Sequence, residues 1–115
     1  MFEERQWGTY RVLDIARFDD DRHALTKHLI IKPGRSISYQ YHLCREEIWT
    51  IIKGDGVVVL DGEVRKVSNG DVVRVLPRQL HTIKANKELH IIEVQLGKPL
   101  TEEDIVRFPA PEQLP

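Results

Sequence analysis

The sequence predicts an all-β protein, an antiparallel sandwich or barrel, on three observations. Turn signals recur at short intervals: Pro33-Gly34, Gly54-Asp55-Gly56, Asp61-Gly62, Asn69-Gly70 and Pro77. Between them lie short runs rich in Val and Ile, whose branched side chains suit a pleated sheet. The only helical signature comes late, in the T-E-E-D-I-V-R-F stretch.

Each element has a local reason. Trp7 is expected to pack an N-terminal strand. Residues 28–32 read H-L-I-I-K and 49–52 read W-T-I-I, both strand runs. Gly54 and Gly56 suit a tight corner where the backbone needs positive φ. Residues 57–60 read V-V-V-L, and Asp61-Gly62 joins them to E-V-R-K-V as a two-residue hairpin. Residues 71–76 read D-V-V-R-V-L and 89–96 read L-H-I-I-E-V-Q-L, two further strands. Thr101, with Asp104 three residues on, predicts a short turn resembling a capping box. No repeat, low-complexity tract or linker interrupts residues 5–108, so residues 1–115 read as a single domain. The proline-rich P-A-P-E-Q-L-P at 109–115 is expected to be a flexible tail.

Composition narrows the function classes. The net charge of -1 gives no electrostatic case for a nucleic-acid or membrane-surface partner. Hydrophobic residues make up 41% and charged residues 30%, as in a folded soluble chain. The lone Cys44 allows no internal disulfide and fits a cytoplasmic location. The N-terminal M-F-E-E-R-Q-W-G lacks an apolar signal core, and no apolar run approaches the roughly 20 residues of a membrane span.

The chemistry-bearing residues fall in two blocks. Gln40 and His42 stand two apart, so on a strand they share one face. Glu47 shares a face with Trp49 and Ile51, and a carboxylate drawn inward among such neighbours needs a partner. His81 follows after Gly70 and Pro77, on a face with Ile83. An amide oxygen, two imidazoles and a carboxylate suit one borderline divalent cation such as zinc. Cys44 continues the Gln40–His42 face if the strand persists, and is a possible extra ligand. His23, His28 and His90 lack matching spacing and read as surface or strand residues.

Several cations are candidates for holding a phosphate, because a guanidinium fork matches its geometry: Arg35, Arg45, Lys53, Arg74 and Arg78. Arg74 alternates with apolar neighbours in V-V-R-V-L. It is expected to point into the barrel and ranks first, ahead of Arg45 and Arg78.

The spacing Gly34-(x5)-Gln40-x-His42-(x4)-Glu47-(x6)-Gly54, then Gly70-(x10)-His81, resembles the two cupin motifs. The flanks W-G-T-Y-R-V-L at 7–13, K-P-G-R-S-I-S-Y-Q-Y-H at 32–42 and R-E-E-I-W at 45–49 sharpen it, as do L-D-G-E at 60–63, I-E-V-Q-L-G at 92–97 and E-D-I-V-R-F at 103–108. Together they resemble the cupin domain of the type II mannose-6-phosphate isomerase family, over nearly the whole chain. In many such proteins this domain follows a nucleotidyltransferase domain that makes GDP-mannose. Nothing here resembles that domain, so the resemblance carries no guanylyltransferase activity. The family motif typically reads Q-x-H-H-H-R-x-E-H-W. Here Leu43, Cys44 and Ile48 replace three of its histidines, and Arg78 stands where the second motif usually has glycine.

The resemblance implies a single cupin barrel (a jelly roll, or double-stranded β-helix) and a homodimer paired through N-terminal strands, where exposed sheet edges favour pairing. It implies a metal-dependent isomerase that interconverts mannose 6-phosphate and fructose 6-phosphate, with Gln40, His42, Glu47 and His81 holding zinc, or alternatively manganese, cobalt, nickel or iron. The sequence does not identify the base, for which Lys53 and Lys27 are candidates. Two alternatives stand beside it. One is a non-catalytic sugar-binding or regulatory cupin. The other is a cupin oxygenase with iron on two histidines and a carboxylate.

Overall fold

The computed structural model describes residues 1–98, 103–111 and 114. The described chain is strand and turn throughout, in eleven strands. They are β1 (Phe2–Arg5), β2 (Gly8–Arg17), β3 (His23–Ile31), β4 (Tyr39–Tyr41), β5 (Arg45–Lys53), β6 (Asp55–Leu60), β7 (Glu63–Ser68), β8 (Val72–Val75), β9 (His81–Ala85), β10 (Leu89–Gly97) and β11 (Val106–Phe108). They form two antiparallel sheets. One has the order β1-β2-β3-β10-β5-β8, the other β11-β4-β9-β6-β7. This is the double-stranded β-helix. No described helix is long and apolar enough to cross a membrane.

The predicted local chemistry explains the corners. Asp61 and Gly62 take φ of 48° and 82°, both positive, and close the β6–β7 hairpin from Leu60 to Glu63. Positive φ at both central positions is the turn whose twist matches the flanking strands. Gly54 has φ of 99°, and a Cβ there would lie 2.2 Å from the Glu88 carbonyl oxygen, so only glycine fits between β5 and β6.

The sheets bury a gradient rather than a uniform core. Alternate residues of three central strands face inward: Lys27, Leu29 and Ile31 on β3; Glu47, Trp49 and Ile51 on β5; Leu89, Ile91, Glu93 and Gln95 on β10. Leu29 and Ile51 both pair with Ile91 across the strands, and the second sheet lays Val58, Ile83 and Ala85 over them. One register step along β10, Lys27 and Trp49 flank Glu93; one step further, Glu47 pairs with Gln95. The apolar end closes the barrel. The polar end is where buried groups need partners.

The C-terminal segment departs from the helical expectation. Thr101 lies outside the described residues, but Val106–Phe108 pair with Tyr41, Gln40 and Tyr39 as an edge strand. The Asp104 carboxylate accepts hydrogen bonds from the amides of Leu43 (2.8 Å) and Cys44 (2.9 Å), not from a helix terminus. Tertiary pairing with β4 overrides the local capping signal. Of the proline-rich tail, residues 112, 113 and 115 lie outside the described residues.

Candidate metal centre

Three side chains from three strand ends converge. His42 follows β4, Glu47 lies on β5 and His81 opens β9; their exposures are 2%, 2% and 0%. One donor atom from each lies within 4.8 Å of the others. His42 Nε2 is 3.4 Å from Glu47 Oε2, and His81 Nε2 is 3.7 Å from Glu47 Oε1. Nitrogen and carboxylate donors about 2.0–2.2 Å from one ion sit only slightly closer together, so modest contraction brings them onto a cation.

The backbone fixes which ring nitrogens face inward. A carbonyl only accepts, so His81 Nδ1–H donates to the Gln79 oxygen at 2.8 Å, and His42 Nδ1–H donates to the Asp104 oxygen. Both Nε2 atoms therefore carry lone pairs directed at Glu47. This outer shell is the one that orients histidine ligands. Burial first, then the Arg45 charge, pushes His42 down to about 4. Burial pushes His81 down as well. With both rings neutral at ordinary pH, the contacts to Glu47 are not ion pairs. His81 Nε2 is buried with no hydrogen-bond partner among the described residues. An orphaned acceptor of this kind is costly, and a cation satisfies it. The donor set therefore fits a divalent metal.

Other expected residues stand elsewhere. Gln40 flanks the centre, but its amide oxygen accepts from Ser38 Oγ and its nitrogen lies 3.5 Å from His42 Nε2. In this arrangement the oxygen is not offered to a cation. Cys44 does not continue the ligand face. Asp104 ties the Leu43 and Cys44 amides into a bend after β4, and the thiol is exposed. Arg74 does not point into the barrel: Val73 and Val75 take the buried face, leaving Arg74 outside on Glu46 at 2.8 Å. Arg78 sits on an exposed loop, outside the cavity described below. Arg45 is committed to the centre itself. It donates to Glu47 Oε2 at 3.0 Å and lies 3.1 Å from His42 Nε2. Lys53 is exposed.

A cavity of about 290 Å³ adjoins the centre. Glu47, Arg45 and Gln40 form the shared wall, while His42 and His81 stand behind it. Lys27, Glu93 and Gln95 continue the wall, and Ile105 and Arg107 reach it from the C-terminal segment. Sequence reasoning passed over Glu93. Burial first, then the Glu47 charge, raises its carboxyl to about 7, against Lys27. Trp49 Nε1 (3.1 Å) and Gln95 Nε2 (2.6 Å) each donate to one of its oxygens and hold it in place. The alternation of L-H-I-I-E-V-Q-L already put Glu93 on the face of Leu89 and Ile91; that was the available signal.

The sequence profile described as "Mannose-6-phosphate isomerase C-terminal" matches residues 3–110. The chain belongs to this family. Among curated relatives it is 31% identical over 106 residues to a mannose-1-phosphate guanylyltransferase of Escherichia coli, covering 90% of this chain and 21% of that protein. It is 35% identical over 107 residues to the alginate biosynthesis protein AlgA of Pseudomonas putida, again covering 90% and 21%. The chain thus spans about a fifth of the length of these relatives. Among solved structures, a double-stranded β-helix protein from Klebsiella pneumoniae superposes with a TM-score of 0.70 at 17% identity, covering 84% of this chain and 75% of that one. The salicylate 1,2-dioxygenase of Pseudoaminobacter salicylatoxidans superposes at 0.60 and 17%, covering 63% of this chain and 20% of that one. At such identity both show the fold alone. Within the family, the three replaced histidine positions fall away from the donor cluster: Leu43 and Cys44 are exposed, and Ile48 lies on the opposite face of β5 from Glu47.

Proposed function

We propose that this chain is a metal-dependent sugar-phosphate isomerase interconverting mannose 6-phosphate and fructose 6-phosphate. The observation that carries the reading is the convergence of His42, Glu47 and His81, with an unpartnered His81 Nε2, beside a cavity with a polar wall. Family membership supports a sugar phosphate as the substrate class.

In this reading the three side chains hold a divalent cation of the zinc class, with manganese, cobalt, nickel and iron as the other candidates. Such an ion supplies Lewis acidity to sugar oxygens and stabilises negative charge that builds as a proton moves between C1 and C2. Glu47 presents the centre to the cavity, so the reacting end of the sugar lies on that wall. Glu93 is the carboxyl on that wall placed to move the proton, since it lines the cavity beside Glu47 and is held there by Trp49 and Gln95. The donors from Trp49 and Gln95 fix both its oxygens, so it meets the substrate in one orientation. Lys27, opposite Glu93 on β3, lies 4.2 Å from the Tyr10 ring centroid and acts against the rise of the Glu93 carboxyl.

The test is a coupled assay for fructose 6-phosphate formed from mannose 6-phosphate, with zinc, cobalt or manganese added, alongside metal analysis of the purified protein. Turnover that needs added metal supports the reading. Stoichiometric metal with no turnover sinks it in favour of a sugar-binding cupin, and failure to bind any of these metals removes the centre.

A further inference from the structure

The cavity wall carries more positive than negative charge. Arg5, Lys27, Arg45 and Arg107 line it against two carboxylates, Glu47 and Glu93. Two of the cations are spent locally: Arg45 holds Glu47 and His42, and Lys27 faces Glu93 across the strands. Arg5 pairs with Glu3 at 2.7 Å. Arg107 differs, with no ion pair or side-chain hydrogen bond among the described residues.

Its placement follows from the strand. Arg107 is the direct cross-strand partner of Gln40, and Ile105, two residues earlier, lines the same cavity. Val106 and Phe108 take the other face, where Phe108 packs on Tyr41. The β4–β11 pairing therefore aims a guanidinium at the cavity from the side opposite β3 and β10. An unpaired guanidinium beside a cavity with surplus positive charge is suited to an oxyanion, which it can grip with two parallel hydrogen bonds.

We propose that Arg107, on the C-terminal edge strand, is the anion-binding residue of this cavity and takes the phosphate of a small phosphorylated ligand. That the ligand is a sugar phosphate rests on the reading above; the anion site does not. This assigns to Arg107 the role that sequence reasoning gave to Arg74, Arg45 and Arg78. Holding the phosphate at β11 leaves the other end of the ligand to reach Glu47 and Glu93, so binding energy remote from the reacting carbons becomes orientation.

Inorganic phosphate and mannose 6-phosphate are titrated into the full chain by calorimetry, with Arg107→Ala, Arg107→Lys and Arg74→Ala beside the parent protein. Melting temperatures are recorded for each. The expected result is a loss of at least tenfold in affinity for both ligands in Arg107→Ala, partial recovery in Arg107→Lys, and no change in Arg74→Ala. In turnover, Arg107→Ala raises KM for mannose 6-phosphate more than it lowers kcat. Equal phosphate affinity in parent and Arg107→Ala, or no phosphate binding by the parent, overturns the assignment. The two readings fail separately. Phosphate held by Arg107 without isomerisation removes only the isomerase, and isomerisation indifferent to Arg107 removes only the anion site.

Discussion

Arg45 bonds Glu47 Oε2 at 3.0 Å and lies 3.1 Å from His42 Nε2, so one guanidinium holds two of the three atoms that would hold a metal. The Glu47 carboxylate has acceptor sites for both, but His42 Nε2 has one lone pair, which a guanidinium and a divalent cation cannot share. Arg45 is also a cavity-wall residue, so it stands between the centre and the space a ligand would enter.

Arg45→Gln is therefore expected to have opposite effects on the two forms. Breaking a nearly buried pair leaves Glu47 uncompensated and lowers metal-free stability by about 3 kcal/mol. The same change removes a competitor and tightens zinc binding by about tenfold, or ~1.4 kcal/mol. Urea melts of the metal-free protein and competition with a chromophoric chelator measure the two. Weaker zinc binding in the variant would show that Arg45 supports the centre rather than competing with it.

His42→Ala and His81→Ala are each expected to abolish stoichiometric zinc. Outer-shell partners alone are worth about 10–100-fold in metal affinity, and a ligand is worth more. Cys44→Ala is the contrast: its thiol is exposed outside the cluster, so zinc content should not move. Metal analysis after dialysis reads all three. A Cys44→Ala variant that loses zinc while His42→Ala keeps it would place the ligands elsewhere.

Glu93 makes metal-free stability depend on pH. Its carboxyl rises from 4.5 unfolded to about 7 folded. Below pH 4.5 it is protonated in both states and contributes nothing. Between 4.5 and 7 the unfolded chain releases the proton while the folded protein keeps it, so stability falls as pH rises. Above 7 the loss is complete, ~3 kcal/mol at 1.36 kcal/mol per unit. His42, pushed down to about 4, and His81, also pushed down by burial, act oppositely below their unfolded value of 6.5, while Glu47, raised by burial, acts with Glu93, so the raw profile of the parent mixes all four. Because the Glu47 charge helps to raise Glu93, the difference from Glu93→Gln reads the Glu93 carboxyl together with its coupling to Glu47: the parent should lose ground to the variant between pH 4.5 and 7 and hold a constant deficit above. Parallel profiles for the two proteins would remove Glu93 as a neutral-range proton carrier.

The fold was legible because its signals are local and periodic. Asp61-Gly62 needs positive φ at both positions, and Glu47-Trp49-Ile51 alternates as a strand must. The same period brought His42, Glu47 and His81 into view. Alternation does not say which face is buried, and that misplaced Arg74: V-V-R-V is compatible with either side until β5 covers Val73 and Val75. Glu93 and Gln95 were passed over because polar residues on a core face look like strand filler until the register sets them beside Lys27 and Glu47. The local pattern around Arg107 reads as helical because its pairing partner, Gln40, lies 67 residues away, beyond any local signal.

Arg78 occupies the position where the family motif has glycine, and its φ is 66°. A left-handed conformation costs a residue with a Cβ roughly 1–2 kcal/mol. The loop keeps it because the Arg78 amide donates to the His42 carbonyl at 2.6 Å and the Gln79 amide donates to Leu76 at 3.1 Å. Those bonds tie the loop to the residue after β4 and set the entry to β9, where His81 begins. Arg78→Gly relieves the strain but frees the unfolded chain, which returns about 0.4–1 kcal/mol. The net expectation is a gain of ~0.5–1 kcal/mol in stability, read as a higher urea midpoint at unchanged slope, with zinc affinity unaltered. A less stable Arg78→Gly variant would mean that the exposed side chain contributes contacts that outweigh the backbone strain.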